Sequence, residues 1–160
     1  MPETIFSDAQ EVANLTKAIL NQEAEFVHLS DQHFVCLFCD KALKRGDQIQ
    51  YGATEIVSGK NAHCYWTAKG NKQSKPFVRI TLHQEFWEDL NAEEKAWVIR
   101  HQLRHCSLKR GKNGTKLKLR VHEVELFLSD LKDPVMPAVC DVIATLRSSQ
   151  AAFSFDPSEE

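Results

Sequence analysis

A chain of 160 residues is the length of one domain and long enough to bury a substantial core. With 42% hydrophobic residues, 26% charged residues and a net charge of −2, it has a soluble globular composition. That balance argues against a wholly basic nucleic-acid binder but leaves room for a local basic patch. The opening, MPETIFSDAQEVANLTKAIL, carries acids early and has no uninterrupted apolar run, which argues against a signal peptide. No window approaches the roughly 18 apolar residues of a membrane span. Five cysteines, an odd number, without an export signal point to a reducing cytoplasm and not to a disulfide scaffold. Residues 1–155 are expected to form one domain, with 156–160 a loose acidic tail.

Residues 7–26 read as a helix, with Ser7 as N-cap, Gln10 three residues on, and Val12, Leu15, Ile19 and Leu20 on one face. Short β-type runs follow: FVHL (26–29), HFVCLF (33–38) and DQIQYGATEIVS (47–58), with turns at KRGD and SGKN. KGNKQSKP (69–76) reads as a polar loop. FVRITL (77–82) alternates, which predicts a half-buried strand with Val78, Ile80 and Leu82 on one side. QEFWEDL gives a short helical turn. Asn91 opens the main helix, about 91–107, and Glu94 can close a capping box. Ala96, Ile99, Leu103 and Cys106 form its apolar stripe. A glycine-marked turn and basic strand (109–120), a helix over 122–131 and a last helix opened by Pro134 and Pro137 complete the chain. The fold class expected is α+β.

The main helix carries His101 and His105, four apart and so on one face, within reach of a single Zn²⁺. His122 offers a third ligand, with Glu125 one turn further along as an alternative ligand or as a partner to a histidine. A catalytic zinc takes three protein ligands and keeps one position open. A bare His-x-x-x-His also arises by chance on amphipathic helices.

FVRITLHQEFWEDLNAEEKAWVIRHQLRHCSL, followed by VHEVELF, resembles the phage metallopeptidases, small zincin-like proteins of phages and prophages similar in outline to SprT-like and minigluzincin domains. Trp87, Leu90, His101, Leu103, His105, Cys106, His122, Glu125 and Phe127 match that family's pattern, and LFCDKALKRGDQIQYGATEIVS looks like its upstream region. The resemblance implies a small, mostly antiparallel sheet covered by the metal-site helix, a Zn²⁺ cofactor and the cytoplasm of a bacterial host. It also implies that FVRITL is an edge strand able to pair with an extended peptide.

Three positions depart from the family pattern: Gln102 stands where it has its catalytic glutamate, Glu123 replaces an aspartate and Leu126 an acid. A neutral amide can orient a water but cannot take its proton, so metal binding is expected without an efficient hydrolytic step. One reading is a binding or inhibitory pseudoenzyme acting on a host or defence protein. Another is an active zinc peptidase in a silenced Glu-to-Gln form. Glu123 or Glu125 could replace the missing base, or serve as ligand or helix N-terminal charge.

Two further constellations bear on function. Cys36 and Cys39, with the later His63 and Cys64, are compatible with a second, structural zinc, against small buried cysteines on a strand. Lys109, Arg110, Lys112, Lys116, Lys118 and Arg120 crowd one arm. They form either an anion-binding edge for DNA or an acidic protein, or a solvated strand whose lysines discourage pairing.

Overall fold

The computed structural model describes residues 3–45, 48–120 and 134–153, and it is an α+β fold. Its main sheet has four strands, β1 (Phe6–Asp8), β2 (Phe34–Cys39), β5 (Gly52–Val57) and β6 (Phe77–His83), in the order β1-β2-β6-β5. Only β2 and β6 run parallel; β1–β2 and β5–β6 are antiparallel. Two separate hairpins flank the sheet: β3 (Leu43–Arg45) with β4 (Gln48–Gln50), and β7 (Cys106–Gly111) with β8 (Gly114–Leu119).

Helices α1 (Gln10–Gln22) and α4 (Ala92–Arg104) cover the face that carries Cys36, Val78, Ile80 and Leu82. Helix α2 (Gly59–Ala68) covers part of the opposite face, where Ala62, Tyr65 and Trp66 meet Val35, Val57 and Phe77. A short helix α3 (Gln84–Glu88) leads into α4, and α5 (Met136–Phe153) adds Val139 and Leu146 to the core. With helices on both sides, β6 is buried on both faces except at half-exposed Arg79. It is therefore a central strand with both edges paired. The expectation of a half-buried edge strand over FVRITL is corrected, and among the described residues the outer strand on this side is β5.

Three local expectations also change. Ser7 lies in β1, and Ala9 occupies the α1 N-cap without a side-chain cap bond. FVHL falls in a 3₁₀ segment, Ala24–Leu29, because Phe26 and Leu29, three apart, are the buried pair while Val27 is 57% exposed. SGKN is the start of α2, whose spacing of Ala62, Tyr65 and Trp66 carries the helical period.

Helix α4 begins where its sequence says it should. The Asn91 side chain accepts from the backbone N–H of Glu93 and Glu94, and Glu94 Oε2 accepts from the Asn91 N–H at 2.7 Å. Two ion pairs tie the same helix to the 3₁₀ segment and its approach: Arg100 with Glu23 at 3.0 Å, and Arg104 with Glu25 at 2.9 Å. Arg104 is 8% exposed, so its fork on Glu25 is partly desolvated. The helix ends at Arg104, short of the expected 107, because Cys106 already belongs to β7. The helix expected over 122–131, with His122 and Glu125, lies outside the described residues.

Candidate metal centre

His101 and His105 occupy the last turn and the C-cap of α4, and both are half-buried. Their ring centroids are 5.1 Å apart at an interplanar angle of 89°. Two imidazoles sharing one tetrahedral zinc, each nitrogen roughly 2.0–2.1 Å from the ion, have centroids about 5 Å apart. The spacing therefore fits a shared ion. Each ring is also held from behind. His101 stacks on buried Trp97 at 5.5 Å and 14°. His105 Nδ1 donates to the Arg120 carbonyl at 3.1 Å, since a carbonyl can only accept. With that proton on Nδ1, the neutral ring carries its lone pair on Nε2, the arrangement that orients a metal-ligating histidine. The Arg120 N–H in turn donates to the His105 carbonyl at 2.6 Å, closing the base of the β7–β8 hairpin against the helix end.

Gln102 has partners of its own. It is buried against β5, where its Oε1 accepts from the Thr54 hydroxyl at 2.7 Å. The Gln102 backbone carbonyl lies 3.2 Å from the same hydroxyl. A Cβ placed on Gly52 would come within 2.8 Å of Leu82 Cδ2 and 3.0 Å of Gln102 Nε2, so any larger residue there would press on both side chains. The amide is thus wedged between Gly52 and Thr54. It can donate or accept hydrogen bonds, but it cannot take a proton.

Thr54, Gly52, Trp97 and the Arg120 carbonyl were not singled out from sequence. Trp97 had a signal, since it stands one helical turn before His101. Thr54 and Gly52 had none, because their partner lies 48 or more residues away and only the tertiary fold joins them.

Among the described residues, no three histidine, cysteine, aspartate or glutamate side chains converge as a metal site. The proposed third ligands, His122 and Glu125, and Glu123 as substitute base, lie outside the described residues. For the second zinc this is a correction, because all four of its candidates are described. Cys36 and Cys39 are three apart on a strand and so point to opposite faces. Cys36 meets Thr16 of α1, and Cys39 Sγ contacts the Leu82 carbonyl at 3.5 Å. His63 is bonded to Ser74, and Cys64 is exposed on α2. Burial pushes the Cys36 thiol up to about 11 and raises that of Cys39, which opposes the thiolate a zinc requires. The basic residues 109–120 lie on the β7–β8 hairpin and just beyond it, directly after the histidine helix.

A sequence model of the family described as "Putative phage metallopeptidase" matches residues 4–147. Comparison with curated proteins and with solved structures gives no match.

Proposed function

The chain belongs to the phage metallopeptidase family, and on that premise we propose that it binds one zinc ion and works as a binding or inhibitory protein, not as a hydrolase. His101 and His105 would hold the ion, with His122 or Glu125 as third ligand. When bound, zinc would supply Lewis acidity to polarise a carbonyl and to acidify a water. The residues around it supply no efficient base. Gln102 occupies the general-base position, and its amide oxygen is already engaged by the Thr54 hydroxyl. That engagement is the observation that carries this reading, because it gives the glutamine a fixed structural place. Losing a general base costs on the order of 10² to 10⁴ in rate.

The partner would be a host or defence protein held as an extended peptide along β5, the outer strand of the sheet among the described residues. A cavity of about 500 Å³ opens beside that strand on the face covered by α2, lined among others by Glu55, Ile56, Ser58, Asn61, Tyr65 and Arg79. Edge pairing supplies backbone hydrogen bonds, and the cavity supplies side-chain selection. The Arg79–Glu55 ion pair, 2.6 Å, puts both charges on its rim. No described helix is long and apolar enough to cross a membrane. The reading places the protein in the cytoplasm of the bacterial host.

The test is gain of function. Gln102→Glu keeps an acceptor for Thr54 and restores a base, so it should create zinc-dependent cleavage of an unstructured protein substrate that His105→Ala abolishes. Cleavage by the unaltered protein at the rate of Gln102→Glu, equally sensitive to chelation, would sink the binding-only reading.

A further inference from the structure

The β7–β8 hairpin has two unlike faces. In its register Cys106 opposes Leu119, Leu108 opposes Leu117 and Arg110 opposes Thr115, and opposed residues share a face. Cys106 is buried on that face, and Leu108 and Leu117 pack on the core. The other face pairs Ser107 with Lys118, Lys109 with Lys116 and Gly111 with Gly114. Lys109, Lys116 and Lys118 are all exposed, and none makes an ion pair with a described residue. Lys109 and Lys116 sit directly opposite each other, an arrangement that destabilises a hairpin unless an anion lies between the charges. Toward the tip a hollow of about 340 Å³ is lined by Lys109, Arg110, Gly111, Lys112, Asn113, Lys116 and Lys118, and no carboxylate of the described residues lines it.

The charge is also segregated along the chain. Residues 106–120 hold six cations and no acid, so a net charge of −2 for the whole leaves −8 on the remainder. A polyanion is repelled by most of this molecule and attracted to one ribbon, which orients its approach.

We propose that the lysine face of the β7–β8 hairpin binds the phosphate backbone of duplex nucleic acid, without reading its sequence. Lys116 and Lys118 are two residues apart on a strand, about 6.7 Å, close to twice the 3.4 Å axial spacing of phosphates along one strand of DNA. The face carries no aromatic side chain on which unpaired bases could stack, which favours a duplex over a single strand. It carries no aromatic or arginine anchor either, which disfavours a protein partner. Lysines are point charges that position on phosphate and specify no base. This surface does not depend on the metal reading, and its test is run with EDTA present.

The experiment measures binding of the full chain to a fluorescent 20-base-pair DNA duplex of random sequence between 50 and 200 mM salt. Duplex RNA, single-stranded DNA and poly-glutamate serve as comparison arms. Three phosphate contacts predict a slope of log K on log salt near −2.7, about a 40-fold loss of affinity over that range. Lys109→Gln/Lys116→Gln/Lys118→Gln should bring the slope close to zero with a thermal midpoint no lower than before, because the three side chains face away from the core and the opposed charges are removed. Equal binding of duplex DNA and RNA supports the backbone reading, as does preference for either duplex over a single strand. Absence of duplex binding at 50 mM salt, or an unchanged slope in the triple variant, overturns the proposal. Single-stranded DNA binding as tightly as duplex, or poly-glutamate displacing the duplex on equal terms with unlabelled duplex, overturns it too.

Discussion

The chain offers two pairs of metal-competent side chains at nearly equal spacing, and the fold treats them in opposite ways. His101 and His105 are four apart on a helix, and their rings meet at 5.1 Å. Cys36 and Cys39 are three apart on a strand, and they end in different layers, one against α1 and the other at the Leu82 carbonyl. Spacing alone says nothing about convergence; spacing divided by the period of the element does. The histidine pair is also braced, by Trp97 behind one ring and the Arg120 carbonyl behind the other. The cysteine pair is buried as two separate pieces of core.

The largest expected effect separates the two pairs directly. The purified protein should carry one zinc per chain, and His101→Ala/His105→Ala should remove it while Cys36→Ala/Cys39→Ala retains it. Metal analysis of the three proteins decides this, and zinc lost only with the cysteines would reverse the assignment.

A second effect concerns the support beneath the histidine helix. Gly52→Ala drives a methyl against Leu82 and the Gln102 amide, so a cost of about 1–3 kcal/mol in denaturant unfolding is expected from overpacking. A neutral result would mean that β5 does not hold Gln102 in the way described.

A third effect belongs to the buried thiols. Burial raises Cys36 from an ordinary 9.0 to about 11 and Cys106 to about 12. The folded values lie above the unfolded ones, so the stabilising contribution is complete below pH 9 and is lost as pH rises through the folded values. Each thiol should add a slope of about 1.4 kcal/mol per pH unit in that window. Cys36→Ala should flatten the stability profile between pH 9 and 11. An identical profile would mean that Cys36 ionises freely, as an open metal ligand would.

Much of the histidine helix is legible in the sequence. The capping box at Asn91 and Glu94 is a local device written in four adjacent residues, and the apolar stripe at Ile99 and Leu103 follows one period. Helix α2 was missed for an equally local reason. SGKN reads as a turn, whereas Ser58 is the N-cap of the helix and the spacing of Ala62, Tyr65 and Trp66 carries its period. The identity of the edge strand could not be read locally at all. FVRITL alternates as a half-buried strand does, yet helices on both sides of the sheet bury both its faces. Likewise the contact of Thr54 with Gln102 exists only because β5 lies beside β6 in the finished sheet. What neighbours dictate in sequence was visible; what neighbours dictate in space was not.

The end of α4 at Arg104 places the histidine pair where the helix runs out of amide donors. The last four carbonyls of a helix have no partner further along it, and together they amount to roughly half a negative charge. His101 and His105 stand in that negative field. A dication between them would be favoured by the peptide backbone itself, by about 0.3–1 kcal/mol for each positive charge near the surface.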